Sequence, residues 1–265
     1  MSTSKAFKNG YDRYSSYDKK TILREYDEIL LKENKVFSSL LEKYGRSLKK
    51  KHPRFIEIGC GSAKASVFMA KTFPNADVYA LDVLPESIIA AKKTAAALKC
   101  GKNLKFIKAD ALKMPYKGGY FDIVFSQGTI EHFKDPSKIM NEQLRVLDKD
   151  GFLVINVPQK FSYYTIKKRV AILRKKWEPG WETEYSYFGM KKLAKKFSLN
   201  LVEVKGQTYD SKITEIVKAY DFFSKLLPKS VDTFLRKDWN KFKDRKGHLF
   251  LVEIIGVFKK ISTKS

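Results

Sequence analysis

From Arg54 onward, short runs of Val, Ile, Leu and Phe alternate with stretches whose apolar residues recur every three or four positions. The first pattern predicts strands and the second helices. Arg54–Ile58, Val78–Leu81 (ending at Asp82), Leu104–Lys108, Phe121–Phe125 and Phe152–Val157 read as five strands. Helical patterns over Lys64–Thr72, Glu86–Leu98 and Pro136–Leu147 fall between them, the first closed by Pro74. Pro85 stands just before the second, where its fixed φ suits a helix start. Strand–helix–strand crossovers of this length predict a parallel sheet with helices on both faces, an α/β fold.

The two ends depart from that alternation. Residues 1–20 are polar and carry Tyr11, Tyr14 and Tyr17. Ile22, Tyr26, Ile29, Leu30, Val36, Phe37, Leu40 and Leu41 then recur at helical spacing up to Gly45, so residues 1–45 are expected to form an N-terminal helical lid. The basic stretch Lys49–Pro53 links it to a core spanning 46–265. Pro158 ends the regular pattern, and 159–187 and 207–246 read as cap insertions. The first has a stripe through Phe161, Tyr164, Val170, Leu173 and Trp177; the second has Ile213, Ile216, Val217, Tyr220 and Phe223. A helix over 189–197 and a strand over Leu199–Lys205 lie between them, and a last strand is expected over 248–258.

Composition narrows the function classes. The 265 residues, 43% of them hydrophobic, suffice for a full core. With 53 Lys and Arg against 29 Asp and Glu, the chain carries +24, a field that draws RNA, acidic proteins or anionic lipid surfaces. Only 9 of these are Arg and 44 are Lys, which weakens specific base reading, because the guanidinium fork suits bidentate contacts better. A lysine-rich solvated surface accounts for the same composition. Cys60 and Cys100 alone make neither a disulfide framework nor a metal-ligand pattern, so no metal is expected. The N-terminus lacks a signal-peptide core, and the apolar run Leu249–Phe258 is short and carries Glu253. A cytoplasmic protein without an integral membrane segment is expected.

Phe55–Ala63 is a strand running into a Gly-x-Gly turn and then a helix. Glycine permits the tight turn and the close approach of a ligand to free helix N–H groups. Asp82 stands 21 residues beyond Gly61 at the end of the second strand, where a carboxylate can accept both ribose hydroxyls. Asp110 follows the third strand, level with the adenine edge. Either aspartate alone could be a turn cap; together, at successive strand ends, they predict an adenosine site. A nicotinamide dehydrogenase would share the turn and Asp82, but usually shows a third glycine where this chain has Ala63.

With Glu57-Ile58-Gly59-Cys60-Gly61-Ser62-Ala63, Asp82, Asp110 and Phe121–Gly128 in place, the chain resembles the class I S-adenosylmethionine methyltransferases, especially the ubiquinone and menaquinone group. The likeness runs from about Tyr11 to Val157. It implies a Rossmann-like, mostly parallel sheet with an antiparallel final strand, and S-adenosylmethionine as cofactor. Glu57 and Gly59 would border the methionine moiety, Gly61 would lie under the cofactor, and Asp82 and Asp110 would take ribose and adenine sides. Tyr17, Cys60, Val83, Ala111 and Gln127 would complete the contacts. Tyr17 belongs to Tyr11–Asp18, which resembles the aromatic segment that closes over the cofactor in this group.

The acceptor is less visible. Glu131 and His132 match the group's frequent Glu-His pair and are the local side chains able to take a proton; either can instead brace the loop before Pro136. Ser126-Gln127-Gly128-Thr129 stands where methyltransferases of exocyclic base nitrogens usually carry an Asn/Asp-Pro-Pro-Tyr/Phe tetrapeptide. Trp177, Trp181, Tyr185, Tyr187 and Phe188 are candidates for an apolar acceptor pocket. The lysines and arginines of 167–176 face an anionic lipid surface, RNA or only water. The leading expectation is a small acceptor, aromatic or lipid-like, methylated on oxygen or carbon. An RNA or protein methyltransferase using the basic surface is the alternative.

Overall fold

The computed structural model describes residues 5–177, 180–209 and 251–261. Its sheet has seven strands: β1 Arg54–Ile58, β2 Asp77–Asp82, β3 Leu104–Lys108, β4 Phe121–Gln127, β5 Leu147–Pro158, β6 Leu199–Tyr209 and β7 Leu251–Lys260. Their order is β3-β2-β1-β4-β5-β7-β6. β1 to β5 pair in parallel, while β7 runs antiparallel to both β5 and β6. This is the mostly parallel sheet with an antiparallel final strand that the family resemblance implies. β1 and β4 occupy its middle and are apolar on both faces, as strands covered by helices on each side must be.

Successive residues of a strand face opposite sides, so each strand feeds two cores. Phe55, Val78, Ile123, Phe125 and Val257 pack with Phe37, Leu41, Val67 and Met69 on one face. Ile56, Leu81, Val124, Leu153 and Ile155 pack with Ile139, Met140 and Met190 on the other. Helices α3 (Lys35–Ser47), α4 (Lys64–Thr72) and α5 (Pro85–Ala97) supply the first layer, and α6 (Ser137–Val146) and α8 (Tyr187–Lys196) the second.

The polar N-terminus is more ordered than its composition suggests. α1 (Lys5–Ser15) and α2 (Lys19–Glu25) lead through a π-helical turn, Tyr26–Glu33, into α3. The Asp18 side chain accepts from Thr21 N at 2.8 Å and starts α2. Tyr14 is buried with its hydroxyl 3.0 Å from Thr94 Oγ1 of α5, and Lys64 of α4 pairs with Glu25 at 3.0 Å. The linker is pinned too: Asp122 accepts from Arg54 N at 2.7 Å and pairs with Lys50.

β6 runs past the predicted Lys205 to Tyr209 because its polar residues find buried partners. Gln207 accepts from Phe37 N at 2.8 Å and donates to Glu253 of β7 at 2.6 Å, so the ladder continues. Beyond Tyr209 the second cap insertion, with its stripe from Ile213, lies outside the described residues, as does the predicted start of β7 at 248–250. In the first insertion Ser162 caps α7 (Tyr163–Leu173). Lys168 does not join the solvated run expected for it: it is 3% exposed. Its Nζ meets Glu184 Oε1 at 2.8 Å and the Glu182 carbonyl at 2.6 Å. Charge pairing turned it inward.

Candidate cofactor and acceptor site

The turn after β1 uses left-handed backbone at three alternate positions, Gly59 (φ 68°), Gly61 (φ 51°) and Ala63 (φ 55°). Only glycine takes that conformation freely; Ala63 takes it as the buried residue preceding α4. Two bonds strap the turn to the end of β2: Cys60 N donates to Leu81 O at 2.9 Å, and Gly61 N to Asp82 Oδ2 at 3.0 Å. A methyl on Gly59 would strike the Thr129 side chain, and one on Gly61 the Tyr11 hydroxyl. Gly61→Ala is therefore expected to weaken donor binding several-fold and lower the melting temperature, readable by titration calorimetry and thermal unfolding.

A crevice of about 680 Å³, counting its open mouth, runs along the carboxyl ends of the strands, where α/β sheets bind ligands. Gly59, Asp82 and Val83 wall it from the ends of β1 and β2, Asp110 and Ala111 after β3, and Gly128, Thr129, His132 and Phe133 after β4. Tyr11 closes it from α1. Of the residues expected from sequence, Gly59, Asp82, Val83, Asp110, Ala111 and His132 thus share one wall. Gly61 lies beneath Tyr11, and Cys60 is buried behind the turn. Glu57 sits deeper still, and Gln127 turns toward Glu253. Tyr17 packs on Tyr14, ring centroids 5.1 Å apart, so Tyr11 and not Tyr17 walls the crevice.

Tyr11, Thr129 and Phe133 were not among the expected contacts. Tyr11 belongs to the aromatic segment already singled out, and Thr129 to the loop after β4. Its hydroxyl donates to Ile58 O at 2.9 Å and so ties that loop to β1.

The crevice is acidic despite the basic chain. Asp82 is held above the ordinary carboxylate range by burial, opposed by N–H donors from Leu84 (2.9 Å) and Gly61. Burial beside Asp82 pushes the Tyr11 phenol up. Asp110 is exposed and accepts from Leu112 N at 2.8 Å. Burial raises Glu57 to about 7, against the donors of Ser66, whose N–H lies at 2.9 Å. The folded state therefore holds a proton on Glu57 that the unfolded chain releases at lower pH. Its contribution to stability is fully present below about 4.5 and is lost as pH rises toward about 7. Urea unfolding across that window is expected to show the wild type losing stability relative to Glu57→Gln as pH rises; a constant difference would contradict it.

Beyond Gly128 the polar groups change character. Glu131, on the short 3-10 turn Ile130–His132, is buried against Gly128, and its Oε2 has no hydrogen-bond partner. Burial raises it well above the carboxylate range; Glu182 and Glu253 push the same way, and Lys168 opposes. The first cap insertion braces this turn: Thr183 N donates to Glu131 O at 2.9 Å, and His132 Nδ1 lies 3.0 Å from Trp181 O. Glu253 of β7 is half-buried and also raised by its loss of solvent, although Asn156 Nδ2 (2.8 Å) and Gln207 donate to it. Asn156 Oδ1 is buried without a partner. A lone acid in an apolar strand was the sequence signal for Glu253. Of the aromatics expected here, Tyr185 is buried while Trp181 and Phe188 face outward.

Sheet order, left-handed glycine turn and acids at the second and third strand ends define a nucleoside-binding protein of the doubly wound class. The chain belongs to the methyltransferase domain family, whose model matches residues 49–219, and within it to the class I S-adenosylmethionine-dependent group. It is 32% identical over 106 residues to ajmaline N-methyltransferase of Rauvolfia serpentina, covering 40% of this chain and 36% of that one. It is 30% identical over 109 residues to demethylmenaquinone methyltransferase of Thermus thermophilus, covering 41% and 49%. The chain thus spans less than half the length of these curated relatives. Among solved structures, phosphoethanolamine N-methyltransferase 2 of Haemonchus contortus in complex with S-adenosyl-L-methionine superposes with TM-score 0.59 at 19% identity, over 97% of this chain and 60% of that one.

Proposed function

We propose that this chain methylates a small molecule, at an oxygen or carbon that reaches the site still carrying a proton, using S-adenosylmethionine. The observation that carries this is Glu131, a buried carboxyl with one unpartnered oxygen, packed behind Gly128 and adjacent to His132, both of which line the crevice. What supports the donor is a crevice at the carboxyl ends of the strands, bordered by the glycine turn at Gly59 and by Asp82, which offers a carboxylate to a ribose. Gly59, Gly61 and Glu57 would hold the amino-acid part, Asp82 the ribose, and Val83, Asp110 and Ala111 the adenine. The donor supplies a methyl group on a positively charged sulfur.

The residues of this chain do the rest. Tyr11 and α1 cover the crevice and exclude water, whereas α3, part of the lid expected over residues 1–45, packs on the sheet. Held together, donor and acceptor gain up to roughly 7–11 kcal/mol from positioning. As the bond to the acceptor atom forms, the Glu131 carboxylate takes the acceptor's proton and ends neutral, the form its burial favours. His132 is the second candidate for that proton. Several relatives' names specify small acceptors, an alkaloid and a menaquinone precursor among them, which supports the size assigned here.

The test is incubation with radiolabelled methyl donor and fractionated cell extract. Label in a metabolite or lipid fraction is expected. Label in RNA or protein would favour the reading that the +24 charge recruits a polyanionic or acidic macromolecule. Among the described residues no helix is long and apolar enough to cross a membrane. The cytoplasmic location expected from the sequence is kept as part of this proposal, in keeping with the free thiols of Cys60 and Cys100.

A further inference from the structure

α7 has its faces reversed. Its inward face carries Thr165 and Lys168, both buried, with Lys168 held by Glu182 and Glu184. Its outward face carries Ile166, Val170 and Leu173, 59%, 40% and 83% exposed, at the i, i+4, i+7 spacing of a helical stripe. Phe161 precedes the stripe and Trp181 lies beyond it, both more than half exposed. At the C-terminal end of α7, Ile172, Lys175, Trp177 and Trp181 line an open hollow with Lys134 at its edge. A contiguous exposed apolar stripe of this kind, unlike apolar residues exposed singly, marks a contact surface.

The charges around it indicate the partner. Lys160, Lys167, Arg169, Arg174, Lys175 and Lys176 are all exposed, and no Asp or Glu occurs between residues 160 and 177. Cations flanking an apolar stripe with aromatic residues at its ends are the pattern of a helix lying in a membrane interface. Lys and Arg there meet anionic headgroups while Ile166, Val170 and Leu173 enter the acyl boundary. An RNA partner would use the cations but leave the aliphatic stripe exposed to water. A second copy of this chain would bring two cationic faces together. Residues 210–250 are also net basic, ten basic residues against six acidic, but carry their own apolar stripe from Ile213, so cover by that segment is an outcome of the test below.

We propose that the α7 face docks this protein on the surface of an anionic lipid bilayer. The assignment is independent of the acceptor and of Glu131. It is tested by sedimenting the full chain with vesicles of equal parts phosphatidylglycerol and phosphatidylcholine, and with phosphatidylcholine alone. The wild type is expected to pellet with the anionic vesicles about tenfold more strongly than with the neutral ones. The double variant Val170→Glu, Leu173→Glu is expected to lose about tenfold in vesicle affinity while keeping wild-type donor affinity and melting temperature.

A wild type that stays in the supernatant, or a double variant that pellets equally well, overturns the proposal. So does a wild-type dimer in light scattering that the double variant converts to monomer, because that makes a second copy the occupant. Leu173→Cys reacting slowly with a thiol label before vesicles are added assigns the face to this chain's own cover, and overturns it too.

Discussion

Replacing Glu131 with Gln is expected to lower turnover by about 10²–10⁴-fold, the usual range for loss of a general base. Donor affinity should stay within about twofold, because Glu131 stands beyond Gly128, away from the Asp82 and Asp110 wall. Gln retains the volume of Glu and its fit under the cap, so folding is preserved. The pH profile separates catalysis from bracing. Glu131 is raised well above the carboxylate range by burial, so wild-type activity should climb with pH as it ionises. That limb should vanish in Glu131→Gln. His132→Ala is expected to cost less, since His132 Nδ1 is engaged with Trp181 O. Wild-type rates and an unaltered pH profile in Glu131→Gln would assign Glu131 to support of the loop alone.

Asp82→Ala is expected to weaken binding of S-adenosylhomocysteine at least tenfold, about 1.4 kcal/mol. Two losses combine. The carboxylate that would receive the ribose disappears, and so does the acceptor for Gly61 N and Leu84 N, which holds the glycine turn against β2. Asp82→Asn keeps one acceptor oxygen and the side-chain volume, so it should fall between wild type and Ala. Titration calorimetry reads the affinities directly. Unchanged affinity in Asp82→Ala would refute the ribose role.

Much of this is legible in the sequence, for physical reasons that differ by region. The strands from Arg54 to Val157 are buried on both faces, so their apolar runs stand out, and Gly61 and Asp82 follow from turn geometry at a known distance. The left-handed Ala63 was not legible, because nothing in its side chain asks for that conformation. The helical lid expected over 1–45 has its periodic signal only from Ile22 on; α1 itself, with Gly10, Asp12 and two lysines, reads as polar and folds by laying Tyr14 against α5. Once α1 is helical, Tyr11 reaches the crevice, and Tyr17, past its end, packs on Tyr14.

Lys168 shows the limit of reading charge along a chain. In sequence it is one cation in a basic run, and only the return of Glu182 and Glu184 fourteen and sixteen residues later buries it. The same event turns Ile166, Val170 and Leu173 outward, against the ordinary expectation for an apolar stripe. Glu131 and His132 were legible as a pair but not in their roles, because burial of one and anchoring of the other depend on residues 181–183 of the cap.

The account rests on a nucleoside lying across the ends of β1 to β4, and a crystal structure with saturating S-adenosylhomocysteine tests that most directly. The predicted result is a ribose on the Asp82 carboxylate, an adenine beside Val83, Asp110 and Ala111, and the sulfur facing Gly128 and Glu131. A crevice that stays empty, or a nucleoside bound with Asp82 and Asp110 turned away from it, would contradict the account.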